Sequence, residues 1–370
     1  MRFSCSQSTL VKALNIVSKA VTSRTTIPIL KGILINVDEN GFVTMSSSDL
    51  DISIENKFEV VDFEPGEIVV QAKLFGDIIR KLPSDIIYIE EKEGNLTIRC
   101  SSSEFNIIGS PSDEFPKINL GENGEKLVFD KEVLKEMIKK TSFAASVDES
   151  RGVITGVLFE IKEDSFNMVA LDGFRMAVTR EFVKNAADQS FIIPARTLNE
   201  VQKILSETDT ENEDVELILN EKRALFIIDN IKVVIRLLDG EYVKYNDILP
   251  KESQLKVVLN RSDLMEAIER ASLFAKVGKN NLIKLNIQEN ELEITSKSEE
   301  GNVRENVYIS REGKDLVIGF NSKYLIDSLK AIDDENIVML FNTPISPCLI
   351  TPVEGNEYEY LVLPVRITNL

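Results

Sequence analysis

Two periods of hydrophobicity alternate along this chain, one with the spacing of a helix face and one with that of a β-strand. Residues 8–20 are predicted to form a helix, because Leu10, Leu14 and Val17 recur at helical spacing and share one face. Strictly alternating segments follow, and an Asn-Gly pair at residues 40–41 is typical of a hairpin turn. The pattern predicts a unit made of a short strand, a helix and three strands.

The same order of elements restarts at Glu67. A second helix is predicted over residues 73–82, with Leu74, Ile78 and Leu82 on one face. Three further alternating segments follow this helix. The chain therefore contains a second copy of the unit.

Six such units account for the whole chain, with helix starts every 58 to 67 residues. In the fourth helix, Thr197 and Glu200 match a capping box, in which the Thr side chain caps the helix N-terminus. The predicted helices begin at Ser8, Lys73, Lys131, Ala195, Ser262 and Ser322.

Alternate units resemble each other more closely than neighbouring units do. The helix segments that start at Leu10, Leu134 and Leu264 have similar patterns. The units therefore pair into three similar α+β domains, an interpretation that a fixed period favours over three unrelated domains. The predicted domains are residues 1–121, 122–247 and 248–370.

Composition excludes several classes of enzyme. The 370 residues include 43 Lys and Arg, 61 Asp and Glu, and no His, which gives a net charge of −18. Without His, there are no imidazole metal ligands and no Ser-His-Asp or Cys-His nucleophile systems. There is also no Walker-type phosphate loop, no G-x-G-x-x-G and no G-x-S-x-G motif. A chain this acidic is expected, on average, to repel nucleic acid.

The cysteines and the N-terminus indicate a soluble cytoplasmic protein. Cys5, Cys100 and Cys348 are odd in number and far apart, which argues against a disulfide framework or a zinc site. The first residues have no apolar signal-peptide core, and no apolar run approaches the length of a membrane span.

The charge is segregated by element type. The six predicted helices carry 15 basic and 8 acidic residues, a net +7, whereas the rest of the chain carries −25. Helices aligned on one side of an assembly would present a positive surface suited to a polyanion read through its backbone. The alternative is that Lys is simply favoured near helix C-termini, and charge alone leaves both interpretations open. The second explains the first-turn cations poorly, namely Lys12, Lys73 and Arg196.

The nearest approach to a catalytic signature is Asp172-Gly173-Phe174-Arg175. Its simplest interpretation is a turn between two strands, with Gly173 providing a permissive backbone. Abundant carboxylates leave a metal-dependent hydrolase as a further hypothesis, supported only by their number.

Five short motifs, in their order and spacing over essentially the whole chain, resemble the bacterial DNA polymerase III beta subunit, the replicative sliding clamp family. The motifs are Arg24-Thr-Thr-Ile-Pro-Ile-Leu, Ser48-Asp-Leu, Ala170-Leu-Asp-Gly-Phe-Arg, Leu238-Asp-Gly with Leu249-Pro, and Tyr360-Leu-Val-Leu-Pro-Val-Arg.

The resemblance implies a head-to-tail homodimeric ring with helices lining a central hole around duplex DNA and sheets outside. It implies a processivity factor that slides on DNA without sequence preference and holds the polymerase on its template, with no cofactor, no metal and no chemistry of its own. The partners implied are the polymerase alpha subunit, the clamp loader and other clamp-binding peptides.

Site residues follow from the resemblance by position. The expected DNA contacts are Arg24, Lys73 and Arg151, together with the helix cations Lys12, Arg196 and Lys203. The expected peptide-binding pocket comprises Ile154, Leu171, Gly173, Phe174, Arg175, Met176, Val243, Ile248, Ile345, Pro347, Val362, Leu363, Pro364, Val365 and Arg366. Without the resemblance, ordinary domain packing would explain the aliphatic members. The expected dimer contacts are Phe105 and Ile107 on an edge strand, and Leu273 and Phe274 on the third domain, with burial inside their own domains as the alternative.

A second hypothesis needs no ring. A monomeric repeat scaffold could bind peptides at residues 171–176 and at the C-terminal surface without encircling DNA. The two hypotheses differ in the mass of the protein in solution.

Overall fold

The structure is a computed structural model. It describes residues 1–118, 123–162, 164–182, 188–208, 214–277 and 281–367. The predicted domain boundary between residues 121 and 122 lies outside the described residues.

Six repeats of strand, helix and three strands are present, as the periodicity predicts, and each helix begins within one residue of its predicted start. Two short strands, β5 and β22, are additions to the repeat. The helices are α1 (Gln7–Val17), α2 (Ala72–Lys81), α3 (Lys131–Ser142), α4 (Ala195–Glu207), α5 (Arg261–Ala275) and α6 (Ser322–Lys330).

The strands fall into two sets of thirteen. The first set is β1 (Arg2–Ser6), β2 (Gly32–Val37), β3 (Phe42–Ser48), β4 (Ile52–Glu59), β5 (Phe63–Glu64), β6 (Gly66–Gln71), β7 (Ile86–Lys92), β8 (Asn95–Cys100), β9 (Ser103–Ile108), β10 (Glu125–Asp130), β11 (Gly156–Lys162), β12 (Ser165–Leu171) and β13 (Arg175–Phe182). The second set is β14 (Gln189–Pro194), β15 (Asp214–Leu219), β16 (Arg223–Ile228), β17 (Ile231–Arg236), β18 (Leu255–Asn260), β19 (Leu282–Gln288), β20 (Glu291–Ser298), β21 (Gly301–Tyr308), β22 (Ser310–Gly313), β23 (Leu316–Asn321), β24 (Asn336–Phe341), β25 (Cys348–Pro352) and β26 (Tyr358–Val362).

The chain forms two compact units. The first comprises Met1–Val133 and Glu200–Leu237, and the second comprises Leu134–Asn199 and Leu238–Leu370, so the division passes through α3 and α4. The first unit holds a five-stranded sheet, β5-β1-β7-β8-β9, and an eight-stranded sheet, β10-β15-β16-β17-β4-β3-β2-β6. The second holds a nine-stranded sheet, β14-β11-β12-β13-β26-β25-β24-β18-β22, and a four-stranded sheet, β21-β20-β19-β23.

Each of the two larger sheets is built from two half-sheets of different repeats. In the first unit, β17 pairs with β4 in antiparallel fashion, with Val233 opposite Ile54. In the second unit, β13 pairs with β26 in the same way, with Ala177 opposite Tyr360. The last strands of the first and fourth repeats, and those of the third and sixth repeats, therefore pair to form continuous sheets.

The core lies between the helices and the sheets. The predicted face of α1 is correct, since Leu10, Leu14 and Val17 are fully buried. The predicted face of α2 is only partly correct: Leu82 is buried and Ile78 half-buried, but Leu74 is 46% exposed, and Phe75 and Ile79 are buried in addition. Apolar residues stand on two adjacent arcs of this helix, so spacing alone does not define its phase.

The predicted capping box of α4 is also wrong. The helix begins at Ala195, directly after the strand residue Pro194, so Thr197 lies inside the first turn. Its buried hydroxyl donates a hydrogen bond to the carbonyl oxygen of Pro194 at 3.0 Å. Side-chain caps do occur at α5 and α6, where Asn260 and Asn321 accept from backbone N–H groups of the first turn.

Candidate functional site

A tight turn between β12 and β13 organises the candidate peptide pocket. Gly173 has a φ of +87°, a conformation that favours glycine. The buried Asp172 carboxylate accepts hydrogen bonds through Oδ1 from the backbone N–H groups of Phe174 at 2.8 Å and Arg175 at 3.0 Å. The turn predicted for this segment is confirmed, and the Asp172 side chain is used to hold it together.

Arg175 is buried and bonded on every side of its guanidinium. Its Nε donates to Asp172 Oδ2 at 3.1 Å, its Nη1 to Asp327 Oδ2 at 2.6 Å, and its Nη2 to the carbonyl oxygen of Phe143 at 2.8 Å. The guanidinium carbon also lies 4.9 Å from the ring centroid of Tyr324. Arg175 therefore connects the turn to α6 from beneath the surface, and its donors are engaged within the chain.

Arg151 approaches the same turn from the loop after α3. Its Nη1 donates a hydrogen bond to the carbonyl oxygen of Asp172. A side-chain carbon added at Gly173 would lie 3.0 Å from the Arg151 guanidinium. This residue was predicted to contact DNA, and the structure gives it a protein partner at the candidate pocket.

The C-terminal strand lies beside the turn. Within the β13–β26 pair, Arg175 is opposite Val362 and Met176 is opposite Leu361. Beyond the strand, the backbone N–H of Leu363 donates to the carbonyl oxygen of Phe174 at 2.8 Å. The structure thus brings together two predicted pocket segments that are almost 200 residues apart.

An apolar cluster lies under this surface. Ile154, Leu171 and Met176, all predicted members of the pocket, belong to it. Pro347 is half-buried and precedes Cys348, which pairs with Val362, and Pro364 and Val365 are half-buried as well. The apolar pocket residues that remain exposed are Phe174, Val243, Ile248, Ile345 and Leu363.

Two tyrosines in the same cluster were not predicted. Tyr242 donates a hydrogen bond to the carbonyl oxygen of Gly156 at 3.1 Å, and Tyr245 donates to Glu160 Oε2 at 2.6 Å. Burial raises the pKa of Tyr245 to about 12, and the Glu160 carboxylate adds to this shift. The available signal for them was their position close to Val243 and Ile248, two predicted pocket residues.

The predicted DNA contacts fall into two groups. Lys12, Arg24 and Lys73 are exposed, and within the described part of the chain none of them has a carboxylate within 4.0 Å. Arg196 is also exposed, but it interacts with another group of the chain. Lys203 is exposed and bonds Glu200 at 2.7 Å.

Other cations in or next to the helices also form ion pairs with carboxylates of the chain. Lys19 bonds Glu207 at 2.9 Å, and Lys139 lies 3.1 Å from Glu136. Lys139 also reaches Asp333 at 3.3 Å. The positive charge of the helices is therefore partly balanced within the chain.

Of the predicted dimer residues, Phe105 and Ile107 lie on the edge strand β9, whereas Leu273 and Phe274 lie on α5, which packs against the edge strand β21. β9 ends the five-stranded sheet of the first unit, and β21 ends the four-stranded sheet of the second. Phe105 on β9 is 39% exposed, whereas Ile107 is buried at 8%, so only Phe105 of this pair is open to solvent. Leu273 is 64% exposed, and Phe274 packs against Gly301 at the start of β21.

No group of three or more Cys, Asp or Glu residues in the described part of the chain is arranged to hold a metal ion. Over the same residues, none of the helices has the length and apolar character needed to span a bilayer.

Family models of the DNA polymerase III beta subunit match almost the whole chain. The N-terminal domain model matches residues 1–119, the central domain model residues 128–244, and the C-terminal domain model residues 246–366.

Two bacterial beta sliding clamps are similar to this chain over almost its full length. The beta sliding clamp of Bacillus subtilis is 36% identical and covers 99% of this chain and 100% of its own. The beta sliding clamp of Halalkalibacterium halodurans is 37% identical with the same coverage.

Solved structures show the same similarity. The DNA polymerase sliding clamp of Bacillus subtilis superposes with a TM-score of 0.94 at 34% identity, covering 100% of both chains. The sliding clamp of Pseudomonas aeruginosa bound to griselimycin has a TM-score of 0.93 at 27% identity, over 99% of this chain and 100% of its own.

Proposed function

The chain belongs to the DNA polymerase III beta subunit family, the bacterial beta sliding clamps, and on this premise we propose that it encircles duplex DNA as a homodimeric ring. In that form it tethers the replicative polymerase to its template. The family consists of non-catalytic processivity factors, so the hydrolase hypothesis has no support. The observation that carries the proposal is the sixfold repeat of strand, helix and three strands, with exposed cations on its helices.

The proposed ring contains three clamp domains per subunit, with residues 1–121, 122–247 and 248–370. The helices face the DNA, and Lys12, Arg24 and Lys73 contact phosphates without reading sequence. The protein acts in the cytoplasm and needs no cofactor.

Ring closure follows from the repeat. β4, β13 and β21 are equivalent edge strands that end the first, third and fifth repeats, and β9, β17 and β26, which end the second, fourth and sixth repeats, are the complementary edges. Two of the three complementary pairs, β4 with β17 and β13 with β26, form within the chain. The remaining edges, β21 and β9, are the ends of their sheets. Pairing β21 of one subunit with β9 of the next gives a head-to-tail contact that closes after two subunits.

The register of this contact can be taken from the two pairs inside the chain. When the strand registers of the second, fourth and sixth repeats are aligned, Phe105 on β9 is equivalent to Val233 on β17 and to Tyr360 on β26. In the same way, Val303 takes the position of Ile54 and Ala177. The expected opposite residues are Phe105 with the partner's Val303, Ile107 with the partner's Gly301, and Glu104 with the partner's Arg304.

We also propose that the surface formed by the 172–174 turn and residues 362–366 binds short peptides of partner proteins, including the polymerase alpha subunit and the clamp loader. An apolar groove with a few fixed polar groups suits a peptide with a hydrophobic anchor. The Pseudomonas aeruginosa clamp binds griselimycin, and we propose that this compound binds the same surface of the present chain, so that it serves as a probe of the pocket.

Retention on DNA tests the topological role. The protein is loaded by a clamp-loader ATPase onto nicked circular DNA, the sample is passed over a sizing column, and the circle is then cut. The expected result is co-elution with the closed circle and loss from the linear form. Equal retention on both forms, or a monomer in sedimentation, would instead favour the monomeric peptide scaffold.

A further inference from the structure

The first unit contains a cavity of about 380 Å³ between its eight-stranded sheet and the segment that follows β9. Leu34, Ser46 and Glu55 line it from three adjacent strands, and Glu67 lines it from β6. The covering segment contributes Ser112, Asp113 and residues 115–118. This volume lies in the range of small-ligand and side-chain pockets, about 300–1,000 Å³.

The covering segment is held to the sheet at both ends. Ser110 forms a bridge with Val69, and the Ser112 hydroxyl bonds the Glu67 carboxylate. At the other end, Ile118 packs against an apolar cluster that includes Leu225. The cavity is therefore a formed part of the fold.

The repeat relates this cavity to the candidate peptide pocket of the second unit. The two isolated bridges of the described chain, Val69 with Ser110 and Ile192 with Leu238, occupy the same place in the second and fourth repeats. With a gap of one residue after the bridge, residues 114–117, Glu-Phe-Pro-Lys, correspond in sequence to residues 241–244, Glu-Tyr-Val-Lys. Pro116 thus takes the position of Val243, a predicted pocket residue.

The chemistry of the two sites differs at equivalent positions. Strand register pairs Ser46 with the position of Val169 and Glu55 with that of Val178. An apolar surface in the second unit is therefore replaced by a polar and acidic one. Three carboxylates line the cavity, those of Glu55, Glu67 and Asp113, whereas Lys117 is the one cation among its lining residues. The apolar part of the lining consists of Leu34, Phe115, Pro116 and Ile118.

We propose that this cavity is a second docking site. It binds a basic peptide segment of a partner protein, and in that segment an Arg or Lys stands next to an apolar residue. The excess of carboxylates matches the charge of such a side chain, and Glu67 is held in place by Asn36 at 3.0 Å and by Ser112. The proposal rests on the proposed function only in that the equivalent site of the second unit is taken to bind peptides.

Methyl NMR of the full-length protein with two matched probes tests the site. The probes are N-acetyl-Arg-Leu-amide and its citrulline analogue, which has a similar shape but no charge. The Arg probe is expected to shift the methyl signals of Leu34 and Ile118 and to bind about tenfold more tightly than the citrulline probe. Glu67→Gln removes the charge, while its carbonyl oxygen can still accept from Asn36 and its amide N–H can donate to the Ser112 hydroxyl, and it is expected to abolish this difference. Glu59→Gln, an exposed residue on β4 outside the cavity, is the control and is expected to leave it unchanged.

Three outcomes would overturn the proposal: no shift at Leu34 and Ile118 up to the solubility of the Arg probe, equal binding of the two probes, or shifts confined to the second unit. Griselimycin is titrated into the same sample, and shifts of Leu171 and Leu361 are monitored. Failure of griselimycin to shift those signals would count against the peptide pocket of the proposed function, whereas the result at Leu34 and Ile118 would stand by itself.

Discussion

Arg175 shows how a charged side chain can be buried when each of its directions has a partner. Two carboxylates and a carbonyl oxygen accept its hydrogen bonds, and aromatic rings cover its faces. Removing one acceptor from such a group leaves a buried charge underpaired, which costs more than the original bond contributes. The pocket turn therefore depends on a residue of α6 that does not itself belong to the turn.

We expect Asp327→Ala to lower the free energy of unfolding by about 1.5–3 kcal/mol, because Arg175 loses a charged acceptor at 2.6 Å. Griselimycin binding is expected to weaken as well, since the turn is no longer fixed. Thermal unfolding and calorimetric titration measure the two effects. Lys323→Ala is the matched control, because the exposed Lys323 contacts the same carboxylate at 3.9 Å and its loss is expected to cost under about 1 kcal/mol. Equal effects of the two variants would contradict this role.

The cysteine thiols give a second prediction at this scale. Burial raises the pKa of Cys5 to about 12 and raises that of Cys348 as well, so both stay protonated at pH 8 and the reactive thiolate is scarce. Cys100 is shielded by burial. Ellman's reagent is therefore expected to react slowly with the native protein and to reveal three thiols after denaturation. Rapid reaction of one thiol without denaturant would show that its site opens readily.

The local geometry of the turn could be predicted from sequence, but its partners could not. Asp172 and Gly173 are turn residues by their own chemistry. Asp327 and Phe143, by contrast, are 152 and 32 residues from Arg175, and no spacing rule connects them. The same holds for Arg151, whose contact with Asp172 arises from the fold of its loop.

At the scale of elements, the edges of the sheets are the informative feature. A strand edge exposes unpaired N–H and C=O groups, which invite pairing with another strand. β4 and β13 satisfy this tendency within the chain, and β21 is the equivalent strand whose partner is proposed to be the next subunit.

Loss of apolar contact at that edge is expected to yield monomers. Leu273→Ala combined with Phe274→Ala removes an exposed leucine and the ring that packs against Gly301. Sedimentation velocity measures the mass. Val147→Ala, at a residue that is 98% exposed, is the control and is expected to remain dimeric. An unchanged dimer in the double variant would show that the interface lies elsewhere.

A double-mutant cycle with Glu104→Gln and Arg304→Gln refines this test. A coupling in the dimer dissociation free energy of about 0.2–1 kcal/mol is expected, since the two side chains are exposed at the proposed register. If the coupling is zero but the Leu273/Phe274 variant is monomeric, the proposed interface is correct and the proposed strand register is wrong.

Element existence and order could be predicted from hydrophobic period, but helix phase and caps were less certain. In α2, Leu74 and Phe75 compete for the buried face, and only packing against the sheet decides between them. In α4, the residues at Thr197 and Glu200 match the capping-box pattern, but the preceding strand ends at Pro194 and the helix begins at Ala195, so Thr197 lies inside the first turn.

At the scale of the whole molecule, the net charge of −18 hides a useful distribution. The helices carry the positive excess, yet several of their cations already have carboxylate partners. A phosphate must compete with those partners, so the number of counterions released on binding is smaller than the number of helix cations.

We expect binding to a short linear duplex to fall only gently with salt, with a log–log slope of magnitude below about 4. Arg24→Ala and Lys73→Ala are each expected to reduce that magnitude by about 1, because these exposed cations are the ones we propose to contact phosphates. Fluorescence anisotropy over a range of salt concentrations measures the slope. Lys57→Ala, which removes a strand cation bonded to Asp38 at 3.6 Å, is the control and is expected to change nothing. Slopes unchanged by all three substitutions would mean that other residues meet the DNA.

The equivalence of the sheet junctions has a consequence for how the proposed ring would be encoded. If the contact between subunits repeats the contacts inside each chain, the order in which the three domains are joined decides which junction lies between subunits. A circularly permuted chain that runs from the second domain through the third and, by a short linker, into the first would encode the same set of strand pairs. Its seam would then lie at β4 and β17, two strands that here belong to one polypeptide.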